Sequence, residues 1–172
     1  VIDWLVEQFK SAHGVDLTFN PDFSQVESDA GQVTVNERFA LFFPEKRPFF
    51  LEGIELFNTP GQLVYTRRIS NPIAGAKITG KLGPIGIAHL TALDQNVDGT
   101  NSDALFNITR LRQDFGANSA IGVTYTDRER FSDDLYNRVL SADMRLVFAK
   151  LYFLQTQFAS SSRIIRHLGV GP

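Results

Sequence analysis

The chain has no cysteine among its 172 residues, one methionine and one tryptophan. Without cysteine there is neither a disulfide framework nor a thiolate zinc site, and the redox compartment is left undecided. Its three histidines, His13, His89 and His167, stand far apart, so no local histidine pair offers a metal site. Neither charge sign dominates: 17 basic side chains face 19 acidic ones, so the electrostatic footprint of a nucleic-acid binder is missing. Apolar runs are short, such as "ALFF", and none has the length of a transmembrane helix. The first residues carry neither the basic start nor the apolar core of a signal peptide. These absences leave two β-rich options. A membrane β-barrel needs only alternating apolar residues, and an apolar content of 43% fits it as well as it fits a soluble β-protein.

What is present divides near residue 72. Five of the seven prolines (Pro21, Pro44, Pro48, Pro60 and Pro72) fall at or before that point. "VIDWLVEQFKSAHG" spaces Ile2, Leu5, Val6 and Phe9 as a short amphipathic helix over 1–14. In "GVDLTFN", Val15, Leu17 and Phe19 alternate with polar residues, as in a half-buried strand. "QVTVN" and "YTRRIS" read as further short strands.

Between them lies "RFALFFPEKRPFFLEG", too rich in proline and mixed charge for a regular helix or strand. Phe39, Phe42, Phe43, Phe49 and Phe50 surround Glu45, Lys46 and Arg47. With Glu52, Arg67 and Arg68 these charges form a candidate polar cluster. Alternating signs among prolines and aromatics favour a folded, salt-bridged loop over an active site. The rings need burial, each worth about 1.5–3 kcal/mol. A polar barrel interior would accommodate such a self-covering segment.

Beyond residue 72 the chain is a series of roughly ten-residue strands, expected at 73–82, 85–93, 104–113, 119–127, 137–148 and 151–161. Leu140, Ala142, Met144, Leu146 and Phe148 oppose Ser141, Asp143 and Arg145. Ile121, Val123 and Tyr125 oppose Gly122, Thr124 and Thr126, while Tyr152, Leu154 and Phe158 oppose Gln155 and Gln157. The 104–113 strand loses phase at Arg110 and Leu111, which predicts a bulge or a displaced boundary. Connections alternate: Gly83-Pro84 short, "DQNVDGTNSD" long, "FGAN" short, "DRERFSDDLY" long, Ala149-Lys150 short. Outer-membrane barrels have this rhythm, with short turns on one rim and longer loops on the other. A soluble meander can also produce it.

Chemistry-bearing motifs are few. Asp94, Asn96 and Asp98 with Gly99 match the first half of a calcium loop, which makes calcium a candidate ligand. Leu105 stands where that loop needs a bidentate acid, so a plain solvated loop is the stronger reading. There is no G-x-S-x-G elbow and no marked serine–histidine pair. His89, among Ile87, Leu90 and Leu93, reads as packed or lumen-facing rather than catalytic. The balance is against an enzyme.

At "NPDFSQVE", "FFPEKRPFFLEG", "YTRRIS" and "GAKITG" the chain resembles an uncharacterised barrel domain family. In that family the domain follows a family-9-type carbohydrate-binding module in large secreted proteins of Gram-negative bacteria. "NITRLRQDFGANSAIGVTYTDR" and "YNRVLSADMRLVF" look like its later strands, so the resemblance spans about residues 15–160. It implies an outer-membrane β-barrel with the EKRPFF segment folded inward, and no established reaction. Residues 1–14, the serine and glycine usual around the double arginine, and "RIIRHLGVGP" depart from the family pattern. The sugar-binding module does not lie in this chain.

The expectation is therefore mainly β: an antiparallel meander forming part of an outer-membrane-type barrel over 15–172. A plug-like irregular segment would occupy 21–72 and the strands 73–162. Six or seven strands are fewer than the eight of the smallest membrane barrel, so a piece of a longer product is expected. The expected location is the bacterial outer membrane and the expected partner its lipid, with polysaccharide or small polar solutes as further ligands and no nucleic acid. The alternative is a secreted β-rich glycan-binding or hydrolytic protein using Glu45, Arg47 and Glu52.

Overall fold

The structure is a computed structural model that describes residues 13–19, 44–95, 102–132, 135–149 and 151–164. Seven strands form one antiparallel sheet in chain order: β1 (His13–Phe19), β2 (Pro72–Leu82), β3 (Ile85–Asp94), β4 (Ala104–Phe115), β5 (Ser119–Arg130), β6 (Leu135–Phe148) and β7 (Tyr152–Ile164). β1 and β7 are its edges, and the sheet is not closed into a barrel among the described residues.

All six expected strands after residue 72 are present, and most run slightly longer than expected. Extension of β5 to Arg130 and of β6 back to Leu135 leaves residues 131–134 between them, fewer than the expected ten-residue connection, on the rim opposite the short turns at 83–84, 116–118 and 149–151. Gly83, at φ 59°, supplies the left-handed residue that the two-residue turn between β2 and β3 requires. At the amino-terminal end the strand already begins at His13, inside the expected helix; residues 1–12 lie outside the described residues, as does "QVTVN".

β4 corrects a reading of the sequence. It runs unbroken from Ala104 to Phe115 in constant register with both neighbours, so the loss of phase at Arg110 is not a bulge. The apolar side changes face instead. Phe106 and Ile108 are buried on one face, whereas Leu111 and Phe115 are exposed on the other. The register shift lies in β2, between Pro72 and Ala74.

Residues 44–71 form an insert between β1 and β2 that packs on one face of the sheet. Its core is Phe50, Phe57 and Ile69 set against Ala88, Leu90 and Ala92 of β3 and Ala104, Phe106 and Ile108 of β4. Contrary to the sequence reading, the insert holds regular pieces: a one-turn helix α1 (Pro48–Leu51) and 3-10 turns at Ile54–Phe57 and Thr66–Arg68. Pro48 starts α1 because the first helical position needs no N–H donor. "YTRRIS" is accordingly a 3-10 turn rather than a strand. Gly53 lies against Thr79 of β2, and the Gly61 N–H donates to Gln157 Oε1 of β7 at 2.5 Å. Through these two contacts the insert reaches from β2 to β7 along one face of the sheet.

Candidate functional site

Alternation along the strands gives the sheet two unlike faces. The covered face carries Lys77, Asp94, Arg110, Thr124, Ser141 and Asp143, all buried, with Lys77 and Asp94 wholly inaccessible. The open face carries Val15, Leu17, Phe19, Ile121, Val123, Leu140, Leu154 and Phe158, all exposed, Phe19 and Phe158 by more than three quarters. This is the reverse of an ordinary soluble sheet, whose charged face meets water.

Each buried charge on the covered face has a specific partner. Lys77 Nζ donates to the backbone carbonyls of Phe49 and Glu52, at 2.7 and 2.6 Å, and lies 3.1 Å from Asp16 Oδ2 on β1. It thereby satisfies carbonyls at the end of α1, which four helical residues cannot satisfy internally. Asp94 receives the backbone N–H groups of Ser70 and Asn71 and pins the far end of the insert. Arg110 of β4 crosses β5 to grip Asp143 of β6 with two hydrogen bonds and also donates to Thr124 Oγ1 at 2.6 Å. Such pairing offsets the several kcal/mol lost when a charge leaves water.

The EKR cluster is tied to itself. Arg47 donates from Nε and Nη2 to the two Glu45 oxygens, each at 2.8 Å. It also donates to the carbonyls of Thr66 and Ile69, and its guanidinium lies 4.1 Å from the Phe50 ring centre. Thr66 Oγ1 and the backbone N–H groups of Lys46 and Arg47 complete the bonds to Glu45. Burial alone would raise the Glu45 carboxyl, but these hydrogen bonds, led by Arg47, outweigh it and hold the pKa at about 2.

The remaining predicted residues separate. Lys46 is exposed, and the Glu52 side chain is also exposed while its carbonyl serves Lys77. Arg67 donates to the Pro44 carbonyl at 2.9 Å, and Arg68 points to a different cleft beside β5 and β7. Phe50 is buried with Phe49 edge-on against it, while Phe39, Phe42 and Phe43 lie outside the described residues. Asp94 turns towards the insert; Asn96 and Asp98 lie outside the described residues. Among the described residues, no three acidic, histidine or cysteine side chains converge as a metal site would require. His89 sits on the open face, not in the covered interior, and its Nδ1 lies 2.9 Å from Thr109 Oγ1 directly across the sheet.

Sequence reasoning missed Lys77 and Arg110. The available signal was a charge at a strand position flanked by apolar neighbours, Ala76 and Ile78 for one and Leu111 for the other.

Residues 9–82 match a family described as "Domain of unknown function (DUF5916)". The matched segment takes in β1, the insert and β2, while β3 to β7 lie beyond it. The similarity is thus to an uncharacterised domain family, and its description mentions neither a barrel nor a sugar-binding module. No curated protein and no solved structure matches the chain.

Proposed function

We propose that the chain forms part of an outer-membrane β-barrel, with its open face against lipid and the insert as a plug in a polar lumen. In this reading it serves as a passage or a surface anchor. The observation that carries the reading is the inverted sheet, with buried charges under the insert and exposed aliphatic and aromatic side chains outside. In water, so large a contiguous apolar surface would drive association. Against acyl chains it is at home.

Two details of the open face support this assignment. First, a polar row crosses adjacent strands through Thr91, Asn107, Asp127 and Arg138, directly opposed in register. Thr91 donates to Asn107, and Arg138 to Asp127, at 2.8 and 3.1 Å. On β5 and β6 the apolar stretch lies wholly on the short-turn side of that row. Second, the apolar stretch slides along the strands. On β1 it is Val15 to Phe19, opposite Ile78 to Ala74 of β2; on β7 it is Tyr152 to Phe158, next to the short turn. A level slab cutting tilted, staggered strands produces this drift. Phe115, Phe148 and Tyr152 stand at the short-turn rim, the last two stacked with centroids 5.8 Å apart, where an aromatic girdle belongs.

The test is membrane fractionation of cells expressing the full chain, followed by electrophoresis with and without boiling. Recovery in detergent-extracted outer membrane with heat-modifiable migration is expected. A stable monomer in detergent-free buffer would overturn the proposal.

A further inference from the structure

The connections between strands sort by rim. Residues 83–84, 116–118 and 149–151 join β2 to β3, β4 to β5 and β6 to β7 at one rim. At the other, residues 95–103 join β3 to β4 and residues 131–134 join β5 to β6. The shorter of these two is still longer than any connection of the first rim. Both ends of the insert belong to the second rim. His13 stands opposite Gly80, near the 83–84 turn, so β1 runs away from the short turns. The chain leaves β1 at Phe19, opposite Ala74, and enters β2 at Pro72, opposite Asp94.

From that rim the insert reaches deep. Asp94 accepts the N–H groups of Ser70 and Asn71, and the Gln95 N–H donates to the Asn71 carbonyl. Further along β3, Leu90 stands opposite Lys77, which holds the carbonyls of Phe49 and Glu52. Further still, Leu56 packs on Gly86, its Cδ2 3.5 Å from the place a Cβ would take. From Asp94 to Gly86 is about 27 Å of extended strand, on the order of the roughly 25 Å apolar band of a membrane barrel.

We propose that the insert is an inward-folded loop of the cell-surface rim, reaching through the barrel interior towards the periplasmic rim. The proposal rests on the outer-membrane reading and adds a direction to it. Outer-membrane barrels keep short turns in the periplasm and longer connections outside. With the three short turns in the periplasm, Phe19 and Pro72, the strand ends that hold the insert, face the medium. A solute arriving from the medium then reaches the Asp94 end of the insert before the Leu56 end.

The experiment is single-cysteine labelling, which the cysteine-free chain makes unambiguous. Gln95→Cys lies beside the exit of the insert and Ala117→Cys in a short turn, and both positions are exposed. Cells expressing each full-length variant are treated, intact and after lysis, with a maleimide too large to pass porins. Gln95→Cys should label on intact cells as fully as after lysis, and Ala117→Cys only after lysis. The reverse pattern, with the chain recovered in the outer membrane, would overturn the direction while the barrel reading stands. So would labelling of both positions, or of neither, on intact cells. Absence of the chain from the outer membrane would overturn both.

Discussion

Arg110 on β4 grips both carboxylate oxygens of Asp143 on β6, at 2.6 and 2.9 Å, over Gly122 of the strand between them. The bridge is possible because residue 122 has no side chain. A Cβ there would stand 2.8 Å from Arg110 Nη2 and 3.0 Å from each Asp143 oxygen. Gly122→Ala should therefore force the pair apart and destabilise the fold by about 1–3 kcal/mol. Urea unfolding followed by circular dichroism measures it, and an unchanged midpoint would contradict this account.

Removing one partner should be worse than removing both. Asp143→Asn leaves the Arg110 charge buried without its carboxylate and should lose about 3–5 kcal/mol. The double variant Arg110→Met with Asp143→Leu should recover most of that. The same unfolding experiment decides, since simple additivity of the single substitutions would show that the pair does not act as a unit.

Lys77 should govern whether the insert stays seated. Lys77→Met keeps the stem but abandons the carbonyls of Phe49 and Glu52 and the Asp16 carboxylate. Limited proteolysis should then cut within residues 44–71 while the strands resist. Equal resistance of variant and parent would show that the apolar contacts of Phe50 and Phe57 suffice.

Glu45 gives the insert a pH dependence of defined sign. Its pKa falls from an ordinary value of 4.5 to about 2 on folding. A depressed carboxyl stabilises the folded state fully above the unfolded value and loses that contribution as pH falls through the folded one. Loosening of the insert should therefore develop between about pH 4.5 and pH 2, read by proteolysis with an acid-active protease. Glu45→Gln should be loosened already at neutral pH, with this acid-dependent step removed.

The two faces of the sheet should respond oppositely to a new charge. Val123→Arg places a guanidinium on the open face and should impede membrane insertion by about 2–4 kcal/mol near the bilayer midplane. Gln155→Arg, on the covered face of β7, should insert as the parent does. Folding into lipid vesicles, read by heat-modifiable migration, separates the outcomes.

The strands were legible because alternation over ten or more residues is a strong local signal. Leu140 to Phe148 against Ser141 to Arg145 assigned both the strand and its two faces. β4 misled because its environment changes along its length: the insert covers Phe106 and Ile108 but not the opposite end of the strand. That cover is contributed by residues some fifty positions earlier, and no local window contains it. The candidate cluster fared similarly. Adjacency suggested the pairing of Glu45 with Arg47, whereas the separation of Arg67 from Arg68 depends on a 3-10 turn that places consecutive side chains in different surroundings.

By itself the sequence determined the β class, the strand spacing, the side of each late strand that is apolar, and an aromatic, charged insert. Those follow from periodicity and proline placement, which are local. Tertiary structure alone decided that Lys77 would hold α1 and that Arg110 would reach Asp143 across Gly122. Each depends on strand register, and register is set cooperatively by the whole sheet and the insert packed on it.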